Sequence, residues 1–100
     1  MEIQQSALAG TLESSDAQVT VSPDQTELTI TIQSPVLNQY GRQIRRVVLA
    51  TLKTLGVTTG RIQIVDKGAL DCTIKARVEG AIYRSGGKSE SEIDWEALRG

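Results

Sequence analysis

One hundred residues with 39% hydrophobic content suffice for one compact domain with a single core, and a formal charge of −1 leaves no overall field to hold nucleic acid. No apolar run approaches the roughly 20 residues of a membrane span, no secretory signal pattern opens the chain, and one Cys cannot close an internal disulfide; a soluble cytoplasmic protein is expected. The absence of His excludes a serine–histidine nucleophile and the usual zinc sets, and one Trp, two Tyr and no Phe leave little for bases to stack on.

In chain order, Ile3, Leu8 and Leu12 are scattered among small residues around Gly10, which predicts an irregular, partly packed start. Gly10-Thr11-Leu12-Glu13-Ser14-Ser15-Asp16 is a polar segment outside every patterned apolar run. Its hydroxyls are flanked by Glu13 and Asp16 with no His to act as a general base, so they are inert, part of a turn or cap, or acceptors for chemistry that another protein supplies.

Gln18-Val19-Thr20-Val21 alternates, Ser22-Pro23-Asp24-Gln25 is rich in turn formers, and residues 27–33 alternate again with Leu28, Ile30 and Ile32 on one side. This predicts a β-hairpin with one buried face. Ser34-Pro35 is a helix start, and Leu37, Tyr40, Ile44, Val48, Leu52 and Leu55 recur at spacings of three and four, with Gly56 placed to end the helix. A helix over residues 35–55 is about 30 Å long and is expected to lie across the sheet.

Residues 61–65 predict a third strand, and residues 66–69 a connection. From Leu70 the apolar residues Leu70, Cys72, Ile74, Ala76, Val78 and Ile82 occupy even positions and charged or polar ones the odd positions, which predicts a fourth strand over residues 70–83 with a bulge or bend at Gly80. The order β-β-α-β-β predicts an α+β fold: a mostly antiparallel four-stranded sheet with one long helix packed on one face. Residues 1–84 form the domain in this reading. Residues 85–100 form a flexible tail, with Trp95 and Leu98 three apart as the shared face of a short helix.

Cys72 falls on the apolar side of the predicted strand and is expected to be buried and unreactive. No metal site is expected, since the lone Cys and scattered carboxylates have no ligand spacing, and Gly86-Gly87 lacks the pattern of a phosphate loop. Arg42, Arg45 and Arg46, with Lys53 further on, form a basic patch off the apolar stripe. It is either a solvated helix face or a dock for an acidic partner or for phosphates.

Two blocks, Leu12-Glu13-Ser14-Ser15-Asp16 and Val65-Asp66-Lys67-Gly68-Ala69-Leu70-Asp71-Cys72-Thr73-Ile74, resemble the acyl carrier protein (gamma chain) of citrate lyase, and the similarity runs to about Arg84. Thr11 stands where that family often has Ser. The resemblance implies that Ser14 carries 2'-(5''-triphosphoribosyl)-3'-dephospho-CoA through a phosphodiester. It implies a non-catalytic carrier moving acetyl and citryl thioesters between an alpha (acyltransferase) and a beta (lyase) subunit, while citrate is cleaved to acetate and oxaloacetate. A prosthetic-group transferase is the further partner. Ser14 is then expected in an exposed, mobile segment, with Glu13 and Asp16 repelling the arm's phosphates. The alternative is a small nucleic-acid or protein binding module using the Arg42, Arg45 and Arg46 face, and aromatic scarcity argues against nucleic acid. A free-standing enzyme lacks a base for neutral pH.

Overall fold

The computed structural model describes residues 2–35 and 37–86. The elements are β1 (Ala7–Gly10), β2 (Ala17–Ser22), β3 (Leu28–Gln33), α1 (Leu37–Thr54), β4 (Gly60–Asp66) and α2 (Asp71–Ser85). The domain is α+β, as its composition of elements predicts, but the layout differs in three places. The tail expected over residues 85–100, with its helix around Trp95 and Leu98, lies outside the described residues from position 87 on.

The first difference is at the start of the chain, where the segment read as irregular contains β1. It pairs antiparallel with β2, Ala7 opposite Val21 and Gly10 opposite Gln18, so the first hairpin is β1–β2, turning through residues 11–16. The second concerns β2 and β3, which are not a hairpin. The sheet order is β1-β2-β4-β3, and β4 inserts between them, antiparallel to β2 and parallel to β3. The sheet is therefore mixed. The physical cause is α1: strands joined through a helix can run parallel, so the β3-α1-β4 crossover returns β4 alongside β3 and displaces β2.

The third is the segment read as a fourth strand, which is α2. Its even-numbered apolar residues Ile74, Val78 and Ile82 are also four apart, a spacing that suits a helix face equally well. Ala76 and Ala81 decide between the two periods: a strand would bury the first and expose the second, whereas Ala76 is exposed and Ala81 fully buried. Lys75, Ala76, Arg77, Glu79 and Ala81 are good helix formers, and Asp71 in the first turn and Arg84 in the last suit the helix dipole. Gly80 is an interior helical residue against β1, where an added Cβ would sit 3.5 Å from Ala9 Cβ; it is not a bulge.

α1 covers the β3 side of the sheet and α2 the β1–β2 side, and the helices pack against each other over a shared core. Ala9, Val19, Val21, Ile62 and Ile64 come up from the sheet, and Ile44, Val48, Leu52, Ile74, Val78 and Ile82 come down from the helices. The predicted stripe of α1 holds at Ile44, Val48, Leu52 and Leu55, all buried, and fails at Tyr40, which is 53% exposed; the side chain of Leu37 lies outside the described residues. Glu79 is a buried acid of α2, and burial raises its pKa against the opposing pull of Lys75. Among the described residues no helix is long and apolar enough to cross a membrane.

Asp66, at the end of β4, fixes how the chain enters α2. One carboxylate oxygen accepts from Gly68 N (3.1 Å) and Ala69 N (2.8 Å), and the other from Ser34 Oγ (2.8 Å) just before α1. A carboxylate with those donors holds the connection as a fixed turn. One buried side chain thus links the approaches to both helices.

Candidate functional site

Residues 11–16 join the two strands of the β1–β2 hairpin, and Ser14 lies at the outermost part of that loop. Asp16 N donates to Glu13 O (3.1 Å), closing a four-residue turn in which Ser14 and Ser15 are the central residues. Ser15 has φ 67°, the left-handed conformation that the third position of a type II turn requires. Ser14 is exposed, and among the described residues its hydroxyl has no hydrogen-bond partner.

The loop is braced from both sides. Ser15 N donates to Lys67 O (2.8 Å) and Lys67 N donates to Asp16 O (2.9 Å), which continues the pairing of β2 with β4 past the end of the strands. The two sequence blocks, some fifty residues apart, meet at this bridge. Ser14 is exposed, on a turn whose backbone is hydrogen-bonded to Lys67.

Asp16 is the hub of the loop. Its carboxylate accepts from Thr11 Oγ1 (2.6 Å), Thr11 N (3.2 Å), Ala17 N (2.7 Å), and the guanidinium of Arg77 through Nε (3.0 Å) and Nη2 (3.2 Å). The Arg77 guanidinium, then the Thr11 hydroxyl and the Ala17 amide, hold its pKa well below the usual carboxylate range. Its charge is therefore matched by Arg77, which corrects the expectation that Asp16 repels phosphate; Glu13 stays exposed. Gly10 opens the loop at φ 90°, and a Cβ there would collide with the Ala17 carbonyl and crowd Arg77 Cδ.

Reading residues 70–83 as a strand placed Arg77 on a wet sheet face and hid its pairing with Asp16. Nothing local in the sequence reveals the bridge from Lys67, inside the second block, to Ser15.

Cys72 is exposed on the second residue of α2, which overturns its expected burial. It lines a cleft between the helices with Val47, Ala50, Thr51, Thr54, Asp71 and Lys75. We expect native Cys72 to react with iodoacetamide within a few-fold of the rate of a thiol peptide, with little gain in denaturant; labelling more than tenfold slower in the native state would contradict this placement. Among the described residues no group of three or more Cys, Asp or Glu could hold a metal.

Arg42, Arg45, Arg46 and Lys53 are exposed on the outer side of α1 around Leu49, itself 43% exposed, and Ala50. Arg45 Nη2 donates to Ile30 O at 3.4 Å, which leans the patch toward β3, the sheet edge opposite β1 and away from Ser14.

Comparison with known proteins gives this geometry a family. A family model described as Malonate decarboxylase delta subunit (MdcD) matches residues 4–85. A citrate lyase acyl carrier protein from Latilactobacillus sakei is 50% identical over 98 residues, covering 98% of this chain and 95% of that one. One from Pectobacterium atrosepticum is 50% identical over 98 residues, covering 98% and 100%. The fold is shared with a chain of a Pseudomonas malonate decarboxylase hetero-tetramer solved in complex with malonate: TM-score 0.75 and 24% identity over 86% of this chain and 89% of that one. Matched over nearly its whole length at half identity, the chain belongs to the family of citrate lyase acyl carrier proteins.

Proposed function

We propose that the chain is the non-catalytic acyl carrier subunit of a citrate lyase complex and that Ser14 bears its covalent arm. The observation that carries this reading is the meeting of both motif blocks at one exposed hydroxyl, on a turn bonded to Lys67 and clamped through Asp16. An arm joined through a phosphodiester needs an accessible hydroxyl and is favoured where nearby carboxylates are compensated. Ser14 supplies the first, and of the two neighbouring carboxylates Asp16 is paired with Arg77 while Glu13 is exposed to solvent.

The residues thus fit the CoA-like arm that the family implies, delivered from 2'-(5''-triphosphoribosyl)-3'-dephospho-CoA with loss of pyrophosphate, with Ser14 as its attachment point and Lys67, whose backbone bonds Ser15, as a neighbouring basic residue. When bound, that group supplies the thiol on which acetyl and citryl groups travel. The chain's own task is to present and tether, and tethering replaces a bimolecular encounter by an intramolecular one at an effective concentration on the order of millimolar. The partners in this reading are the alpha (acyltransferase) and beta (lyase) subunits and the prosthetic-group transferase, all in the cytoplasm with the carrier. Intact mass of protein purified from its own host tests the reading directly: a mass above the 10.8 kDa of the bare chain, mapped to the peptide containing Ser14, is expected.

The α1 patch gives the proposed complex a docking surface distinct from Ser14. Cations around an apolar floor suit an acidic surface of a partner subunit, and guanidinium groups bind carboxylates bidentately. Reversing Arg42, Arg45 and Arg46 to Glu is expected to weaken binding to the alpha or beta subunit by at least about tenfold at low salt, with circular dichroism unchanged and the deficit shrinking as salt rises. Titration calorimetry giving equal affinities at all salt concentrations would return the patch to a solvated helix face.

A further inference from the structure

The loop bearing Ser14 is held partly by its own residues, through Thr11, Ala17 and the Glu13–Asp16 turn bond, and partly from outside. Ser15 lies at positive φ without being Gly, a state that persists only where the surroundings impose it. The surroundings make two ties. One is the backbone bridge to Lys67. The other is Arg77, among the described residues the only donor to the Asp16 carboxylate that comes from outside residues 11–17. Arg77 stands on α2 between Ile74, Val78 and Ala81, all fully or nearly fully buried, so its backbone moves with the core. Its side-chain stem passes over Gly10, where a Cβ would come within 3.0 Å of Cδ, and its fork grips the carboxylate two residues from Ser14.

We propose that Arg77 is a positioning residue for the modification of Ser14: through Asp16 it presets the Glu13–Asp16 turn, so that the prosthetic-group transferase receives an ordered hydroxyl. The inference rests on the carrier reading above and concerns a residue that never touches the arm's reacting atoms. In the transfer, Ser14 Oγ forms a new O–P bond to the phosphorus of the triphosphate donor nearest its ribose, and pyrophosphate leaves with the broken P–O bond. The hydroxyl proton passes to a base of the transferase. A loop already in its bound shape spares the ordering cost of docking, so Arg77 acts on the affinity of the transferase for the carrier more than on the chemical step.

The test uses the full chain as wild type, Arg77→Ala and Arg77→Lys, with purified transferase and the triphosphoribosyl donor, in two readouts. Hydrogen exchange should show the Ser15 and Asp16 amides of Arg77→Ala exchanging roughly tenfold or more faster, as loss of charge-assisted hydrogen bonds implies, with Ile62 and Ile64 unaffected. Initial rates by intact mass should show KM for the carrier raised roughly tenfold with kcat close to wild type, and Arg77→Lys restoring part of both effects.

Arg77→Ala with wild-type KM and kcat overturns the proposal, whatever its exchange. Unchanged exchange at Ser15 overturns the claim that Arg77 holds the turn. If Arg77→Ala accelerates exchange throughout the core, Asp16→Asn, which loses the ion pair but keeps one acceptor oxygen for the loop, decides by the same two readouts. A wild-type chain left unmodified by active transferase overturns the carrier reading, and the exchange data then still report whether Arg77 holds the turn.

Discussion

Ser14→Ala is expected to leave the domain folded and to abolish both its covalent modification and citrate cleavage by a reconstituted complex. The hydroxyl is exposed and makes no hydrogen bond among the described residues, so its removal should change unfolding free energy by no more than about 0.5 kcal/mol. The functional loss should be complete, because the chain has no His and its one thiol, Cys72, is fixed on α2 and not carried on a long arm. Ser15→Ala should spare modification: Ser15 is bound to the loop's geometry through its backbone amide, which Ala retains. Thr11 is a poor substitute acceptor, since its hydroxyl donates to Asp16 at 2.6 Å and accepts from Glu13 N at 3.2 Å. Peptide mass spectrometry of host-derived protein is the check. An adduct on Ser15 or Thr11 would displace the site and leave the carrier standing; no adduct, with full turnover by Ser14→Ala, would end the carrier reading.

Val48→Asp is expected to unfold the domain. Val48 is fully buried at the centre of the α1 face, between Ile44 and Leu52 and over the sheet residues Ile62 and Ile64 of the same core. An unpaired carboxylate there costs roughly 3–5 kcal/mol. At roughly 0.05–0.15 kcal/mol per residue, 100 residues hold about 5–15 kcal/mol in total, so the substitution removes a large share of the stability and all of it at the lower end. Burial would raise the folded-state pKa of the new acid, so its cost should be full above that raised value, shrink as pH falls through it, and vanish below the unfolded value. Urea unfolding followed by circular dichroism measures this. A midpoint equal to wild type at pH 7 would show that the face is not buried.

The sequence by itself determined α1, and the reason is that spacings of three and four from Ile44 to Leu55 satisfy no period other than a helical one. Even its one failure is geometric. Each step of four residues overshoots a full turn by about 40°, so Tyr40, two steps before Val48, is carried to the margin of the stripe and into solvent. Likewise β4 was legible from Ile62 and Ile64, and the polar loop with Ser14 stood out as a segment with no core to join.

α2 was not legible, because Ile74, Val78 and Ile82 fit a period of two and a period of 3.6 equally, and the exposure of Ala76 with the burial of Ala81 separates them. Nor was the sheet order. Nothing in Gln18-Val19-Thr20-Val21 says that its neighbour is β4 and not β3; that choice is made by the crossover through α1 and by the shared core. The site divides in the same way. Residue types and the family resemblance singled out Ser14, whereas the brace around it joins Asp16 to Arg77 and Ser15 to Lys67. Those partners are distant in sequence, and only α2 and the end of β4, once packed, bring them within hydrogen-bonding reach of the loop.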